Sequence, residues 1–325
     1  MISSIDFWIN LTSFSVSFIV TFVIVPWLIP KLIFREIVGK DMNKPERPLI
    51  PEIGGISVVL GVFLGVYFNL SLRSFYVSDF PFTNFLLVSM ITILGISIIG
   101  LLDDLLGMRQ IIKAFLPFIF ALPLGFFVSS DMNLPFFGDV DFGLAILFIV
   151  PFGITCAANS MNMLEGFNGL GSGLGLIITG ALIVMSLMSG NKEGLVLLVP
   201  LFGSLLAFLY YNKYPAKIFP GDTLTLFMGG IIGCAAMPNL KLEGALLMLP
   251  MILEFFLKLK SNFRAQCFAT SFDGNILQYN GRIESLTHFV MQKFRFNEQE
   301  LVRFFWFFQF LWALFLIMLK HLEKL

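Results

Sequence analysis

Asp103 and Asp104 stand side by side, ten and nine residues before Lys113. They fall at the junction of two apolar runs, Phe85–Leu102 and Ile111–Val128, each long enough to cross a bilayer. One carboxylate at mid-bilayer depth costs roughly 2.5–3.5 kcal/mol, and two neighbours also repel each other. The pair must therefore sit at the water interface, where it can hold a divalent cation or face a phosphate. Gly107 eases the turn, and Lys113 returns a positive charge on the first turn of the next helix. A solvated helix end with a snorkelling lysine is the ordinary alternative. Adjacent acids beside an unbroken apolar run argue against it.

Other clusters carry compatible chemistry. In Asn159-Ser-Met-Asn162-Met-Leu-Glu-Gly-Phe-Asn168-Gly169, Asn159 and Asn162 share a helical face, and Asn168-Gly169 turns the chain. Capping and turns use asparagine routinely, but amide oxygens are also hard ligands suited to Mg²⁺, and amides pair with nucleobase edges. Phe219-Pro220-Gly221-Asp222-Thr223 could simply initiate a helix, or Asp222 could hold a cation bound to a diphosphate. The proline-rich stretch from Asp41 to Gly55 carries Lys44, Arg47 and Glu52, and its bases could meet an anionic head group. Lys258 to Arg264 opens the longest polar segment, where a basic group could clamp a diphosphate, although topology alone would also place bases there.

These clusters are threaded between ten apolar runs: Phe7–Phe34, Ile53–Leu70, Thr83–Leu102, Ile111–Val128, Phe142–Ala158, Leu170–Met188, Leu195–Tyr211, Thr223–Met237, Gly244–Leu257 and Leu301–Met318. The pattern predicts an all-α integral membrane protein of about ten transmembrane helices, one polytopic unit over residues 1–325 with a longer cytoplasmic loop at about 258–298. Arg35, Lys40, Lys44, Arg47, Arg109, Lys213, Lys217 and the bases from Lys258 to Arg295 fall in one set of loops. Arg73, Lys192, Lys241, Lys320 and Lys324 fall in the other. The positive-inside rule makes the first set cytoplasmic, puts both termini outside, and places every polar cluster named above on the cytoplasmic face of the cell membrane. Outer loops such as Ser71–Pro81 and Ser129–Asp141 carry no comparable group. Met1–Trp8 lacks a basic n-region and carries Asp6, so no cleavable signal peptide is expected. With 21 basic and 21 acidic residues the formal net charge is zero, which gives no general attraction to nucleic acid. Cys156, Cys234 and Cys267 are too few and scattered for a disulfide framework. His288 and His321 are isolated and read as structural or interfacial.

Together the four ordered motifs resemble the polyprenyl-phosphate N-acetylhexosamine-1-phosphate transferases, and within them the archaeal and eukaryotic UDP-GlcNAc:dolichyl-phosphate GlcNAc-1-phosphate transferases. The resemblance covers nearly the whole chain. It implies a ten-helix membrane enzyme that moves sugar-1-phosphate from a UDP-sugar to a lipid phosphate, releases UMP, and requires Mg²⁺, for which Mn²⁺ could substitute. That reaction is the first membrane step of lipid-linked glycan assembly. It implies Asn162 and Asp222 as metal ligands, Asn168 and Phe219 as the groups that pair with and stack on uracil, and Lys113 near the phosphates. Asp103 and Asp104 become the paired acids at the reaction centre, and Lys44, Glu52 and Asn159 are further substrate contacts. One departure lies in the ninth cytoplasmic segment. Bacterial members carry a histidine-rich motif there, whereas this chain has Ser261-Asn262-Phe263-Arg264-Ala265-Gln266-Cys267. That argues against a muramyl-pentapeptide substrate and leaves Arg264 as the candidate diphosphate clamp.

A lipid phosphate is mostly dianionic at neutral pH, because its second pKa is about 6, so no strong base is obligatory. Asp103 could orient it or take a residual proton, and Asp104 could hold Lys113 or a metal-bound water. The same chemistry with another UDP-N-acetylhexosamine or undecaprenyl phosphate stays open, as does the oligomeric state, a homodimer included. A secondary transporter would instead place its coupling groups near mid-bilayer. A membrane scaffold would have no need of paired acids, paired asparagines and Gly-Asp together.

Overall fold

A computed structural model describes residues 4–77, 83–134 and 138–322. Residues 78–82, 135–137 and Lys324, within or beside the outer segments named above, lie outside that range. The described chain is helical over most of its apolar runs: α1 Ser4–Phe34, α2 Gly55–Tyr76, α3 Asn84–Leu106, α4 Gln110–Ala121, α5 Ile146–Met163, α6 Leu170–Ser189, α7 Lys192–Asn212, α8 Gly221–Ala236, α9 Lys241–Leu247, α10 Leu249–Leu259, α11 Leu286–Lys293 and α12 Glu298–His321. Among the described residues three antiparallel strand pairs decorate the connections: β1 Val38–Lys40 with β2 Leu49–Pro51, β3 Asp131–Leu134 with β4 Gly138–Asp141, and β5 Ser271–Asp273 with β6 Ile276–Gln278.

Among the described residues, seven helices are long and apolar enough to span a bilayer. Large apolar side chains such as Trp27, Phe75, Leu144 and Phe307 are exposed on them. This is the lipid-facing surface of a multi-pass integral membrane protein. The remaining three of the ten expected runs are shorter, for identifiable reasons. The fourth carries Pro117 and Pro123, and its α-helix gives way to a 3₁₀ turn over Leu122–Phe126. The ninth is broken at Met248 into α9 and α10, with Pro250 in the first turn of α10. The eighth, α8, is buried from Thr223 to Ala236, packed against α3 and α5. A helix apolar on every side and wrapped by other helices need not match the thickness of the bilayer.

Buried polar contacts fix how the outer helices lie. Arg73, 1% exposed, donates through Nη1 to Asp6 Oδ1 at 2.5 Å and through Nε to Asn69 Oδ1 at 2.8 Å, tying α2 to α1. At the opposite end of the bundle the connections between α1 and α2, α3 and α4, α5 and α6, α7 and α8, and α10 and α12 come together, so the polar motifs share one end. The approach of α3 to α8 there depends on Gly100, where a Cβ would come within 2.5 Å of the Asp222 backbone oxygen. Gly100→Ala should therefore push α3 from the N-terminus of α8, cost about 1–3 kcal/mol and lower the thermal unfolding midpoint in detergent. An unchanged midpoint would contradict that contact.

Candidate active site

Asp222 is the meeting point of the motifs. Gly221 before it adopts φ 67°, and Asp104 Oδ2 lies 2.5 Å from where a Cβ would project, so only glycine fits both the turn and the neighbour. Asp104 reaches across from α3 to cap α8: Oδ1 accepts the Asp222 N–H at 2.7 Å, and Oδ2 accepts the Thr223 N–H at 2.9 Å and its hydroxyl at 2.5 Å. A carboxylate at a helix N-terminus compensates both the unpaired amides and the helix dipole. Asp104 is thus committed to α8, and neither of its oxygens reaches Lys113.

Lys113 is held by the other two acids. Its ammonium donates to Asp103 Oδ2 at 2.7 Å and to Asp222 Oδ2, and it is nearly buried at 6% exposure. The second oxygen of Asp103 accepts the Met108 N–H at 2.7 Å, fixing the α3–α4 turn. Asn162, at the end of α5, donates to Asp222 Oδ2 at 3.2 Å. Four helices therefore bring Asp103, Lys113, Asn162 and Asp222 into one cluster. No group of three or more His, Cys, Asp or Glu suited to a metal exists among the described residues. The Asp222 carboxylate and Asn162 carbonyl do fit a hard cation that takes few protein oxygens and completes its shell with phosphate and water.

Beside the cluster opens a cavity of about 260 Å³, lined by Lys40, Asp41, Met42, Glu52, Asn162, Glu165–Asn168, Phe219–Asp222, Thr225 and Phe268. Of the residues expected from the sequence, Glu52, Asn162, Asn168, Phe219 and Asp222 line it. Burial and the nearby Asp104 charge push the Glu52 carboxyl above its ordinary range. Phe219 is positioned by its N–H donating to the Pro51 carbonyl at 2.7 Å and its carbonyl accepting from Gly54 at 2.9 Å. Asn159 is absent from the lining: its amide donates to Ala114 O at 3.0 Å and Thr155 O at 2.9 Å, so it holds α4 beside Lys113. Arg264 is exposed and does not line the cavity. Lys44, read as a head-group contact, spends its ammonium on Asp41, Asn168 and Glu298.

Four residues that sequence reasoning passed over belong to this end of the molecule. Asp41 and Asn43 flank Met42 in a stretch whose bases drew attention instead. Asn43 pins two loops, donating to Gly166 O at 2.5 Å and accepting from Ala269 N at 3.1 Å. Glu298 comes from the first turn of α12, which an Asn297–Glu300 capping box starts; no local signal ties it to residues 130 positions earlier. Glu165 lies inside the asparagine motif and lines the cavity, but nothing in its type or spacing set it apart there.

The chain is 37% identical over 290 residues to a Saccharolobus solfataricus protein, covering 87% of this chain and 88% of that one. That relative is provisionally named a UDP-N-acetylglucosamine–dolichyl-phosphate N-acetylglucosaminephosphotransferase. A Sulfolobus acidocaldarius protein of the same provisional name is 36% identical over 86% of this chain and 87% of its own. Residues 86–238 match the family described as glycosyl transferase family 4. The chain belongs to that family. A phospho-N-acetylmuramoyl-pentapeptide-transferase of Borrelia garinii is a more distant relative, 30% identical over 61% of this chain and 63% of its own. The region matching glycosyl transferase family 4 runs from α3 through α8 and contains Asp103, Lys113, Asn162, Asn168, Phe219 and Asp222. The Asp41–Glu52 stretch, Arg264 and Glu298 lie outside it.

Glu165 gives this site a pH signature. Its Oε2 is buried against Gly171, at the N-terminal turn of α6, without a well-formed hydrogen bond. Burial pushes the carboxyl up to about 8, and the Asp222 charge adds to the rise while the Gly171 amide opposes it. Because the folded state binds this proton more tightly than the unfolded chain, stability is full below the ordinary carboxyl range and falls as pH rises toward 8. In magnesium-free buffer, thermal unfolding should show that fall between about pH 4.5 and about 8. Glu165→Gln should flatten it; an identical pH profile in the variant would contradict the assignment.

Proposed function

We propose that this protein transfers GlcNAc-1-phosphate from UDP-GlcNAc to dolichyl or another polyprenyl phosphate, releasing UMP, at a site facing the cytoplasm from the cell membrane. The observation that carries the reading is Lys113 clamped between Asp103 and Asp222, with Asn162 on the same carboxylate, at the rim of a cavity lined by Phe219 and Asn168. The names of the Saccharolobus and Sulfolobus relatives support the donor and the acceptor. The bases around this end of the bundle support its cytoplasmic orientation.

A lipid phosphate oxygen forms a bond to the β-phosphorus, and the bond from that phosphorus to the α,β-bridging oxygen breaks. UMP leaves with the bridging oxygen. The transition state spreads charge over the equatorial oxygens of the transferred group, so catalysis is mainly positioning and charge compensation. Lys113 supplies a fixed positive charge, and Asp103, with both oxygens engaged, positions that ammonium. Phe219 offers a face for the base to stack on. Leu105, Leu106, Ile111 and Phe115, exposed at the α3–α4 turn, offer hydrocarbon to a polyprenyl chain reaching Lys113 from the bilayer. Asn162 and Asp222 would hold Mg²⁺, which when bound supplies Lewis-acid charge at the diphosphate.

Purified protein incubated with radiolabelled UDP-GlcNAc, dolichyl phosphate and Mg²⁺ should yield lipid-linked sugar and UMP, with UDP-GalNAc and undecaprenyl phosphate run in parallel to fix the substrates. Lys113→Ala and Asp222→Ala should each lower kcat by about a hundredfold or more. EDTA should abolish turnover of the unaltered protein. Normal turnover by Asp222→Ala at limiting Mg²⁺ would overturn its assignment as a ligand.

A further inference from the structure

The hydrogen bonds around Asn168 decide which groups remain free to read a ligand. Its Oδ1 accepts from the Ala216 backbone N–H at 2.8 Å and from the Lys44 ammonium at 3.1 Å. Both partners can only donate, so the carbonyl end of the amide must face them. Its Nδ2 donates to Asp41 Oδ2 at 3.1 Å, and a carboxylate can only accept. The amide is therefore oriented from both ends. Glu298 closes the ring: Oε1 accepts the Asn168 backbone N–H at 2.9 Å, and Oε2 lies 3.2 Å from the Lys44 ammonium. Asp41, Asn168 and Glu298 are all 4% exposed or less.

Among the described residues two valences are left over: one Nδ2 hydrogen of Asn168 has no acceptor, and no group donates to Asp41 Oδ1. Asp41 and Asn168 both line the cavity that Phe219 borders. The pocket thus offers a donor beside an acceptor. Uracil presents the matching edge, the O4 acceptor next to the N3–H donor. Cytosine reverses it, with an amino group at C4 and a lone pair at N3. A cytosine in the same pose would set its N3 lone pair against a carboxylate.

We infer that Asp41 is the specificity-determining acceptor for uracil N3–H, and that Lys44 and Glu298 are positioning residues that keep the Asn168 amide turned to donate to O4. The inference rests on the proposed use of a uridine nucleotide and names the groups that choose the base.

The test uses the full chain in detergent, with UMP, CMP and N3-methyl-UMP as competitors of UDP-GlcNAc turnover and as ligands in direct binding. The unaltered protein should favour UMP over both others by on the order of tenfold or more, the expected value of a hydrogen bond to a charged group. Asp41→Asn should weaken UMP and narrow the UMP to CMP ratio toward one, because an amide can present either a donor or an acceptor. Glu298→Gln should raise KM for the UDP-sugar several-fold with kcat nearly unchanged, whereas a purely structural loss would lower the active fraction and leave KM alone. Retention of the full UMP to CMP ratio in Asp41→Asn, or equal binding of UMP and N3-methyl-UMP by the unaltered protein, overturns the inference. The methylated ligand decides the matter even if Asp41→Asn does not fold. Absence of any UMP binding to the unaltered protein would instead overturn the underlying nucleotide reading.

Discussion

The arrangement depends on one ammonium compensating two carboxylates where water is scarce. Without Lys113, Asp103 and Asp222 would repel each other beside the end of an apolar bundle. With it, they lie close enough for a fourth helix, α5, to add Asn162 and for α8 to begin beside the cavity. Asp104 plays the complementary part, giving its oxygens to the first amides of α8 so that Asp222 is presented from a fixed turn. The adjacent acids therefore divide their work: one engages the lysine, the other builds the platform.

A second polar network, on the other side of the cavity, works by the same logic. Lys44 compensates Asp41 and Glu298 as Lys113 compensates Asp103 and Asp222. Between these two lysine-centred clusters lies the space the nucleotide is proposed to fill. The networks draw on the α1–α2 connection, the α5–α6 turn, the α7–α8 segment and α12, and the first three of these also line the cavity.

Much of this was legible in the sequence because the bilayer imposes a strong rule on composition. Apolar runs had to be spans, and polar groups at their ends had to lie at an interface, which makes Asp103, Asn162 and Asp222 conspicuous in the sequence. The same rule was silent where protein replaces lipid. The breaks in the fourth and ninth runs arise from prolines and from packing, and α8 is short because other helices enclose it. Asn159 and Arg264 show the limit of reading chemistry from residue type: one amide was spent on the backbone of α4, and one guanidinium lies in solvent outside the cavity.

The order of the motifs, their confinement to one end of the bundle and the membrane-spanning character of the chain were fixed by the sequence alone, since each follows from hydropathy and charge along a single strand of residues. Only the tertiary structure decided which partner each polar group takes. Hydrogen bonds are directional and short-ranged, and the residues that compete for them, such as Lys44, Asn168 and Glu298, stand far apart in the chain. Which atoms are consumed by folding, and which are left for a ligand, is therefore a property of the packed molecule.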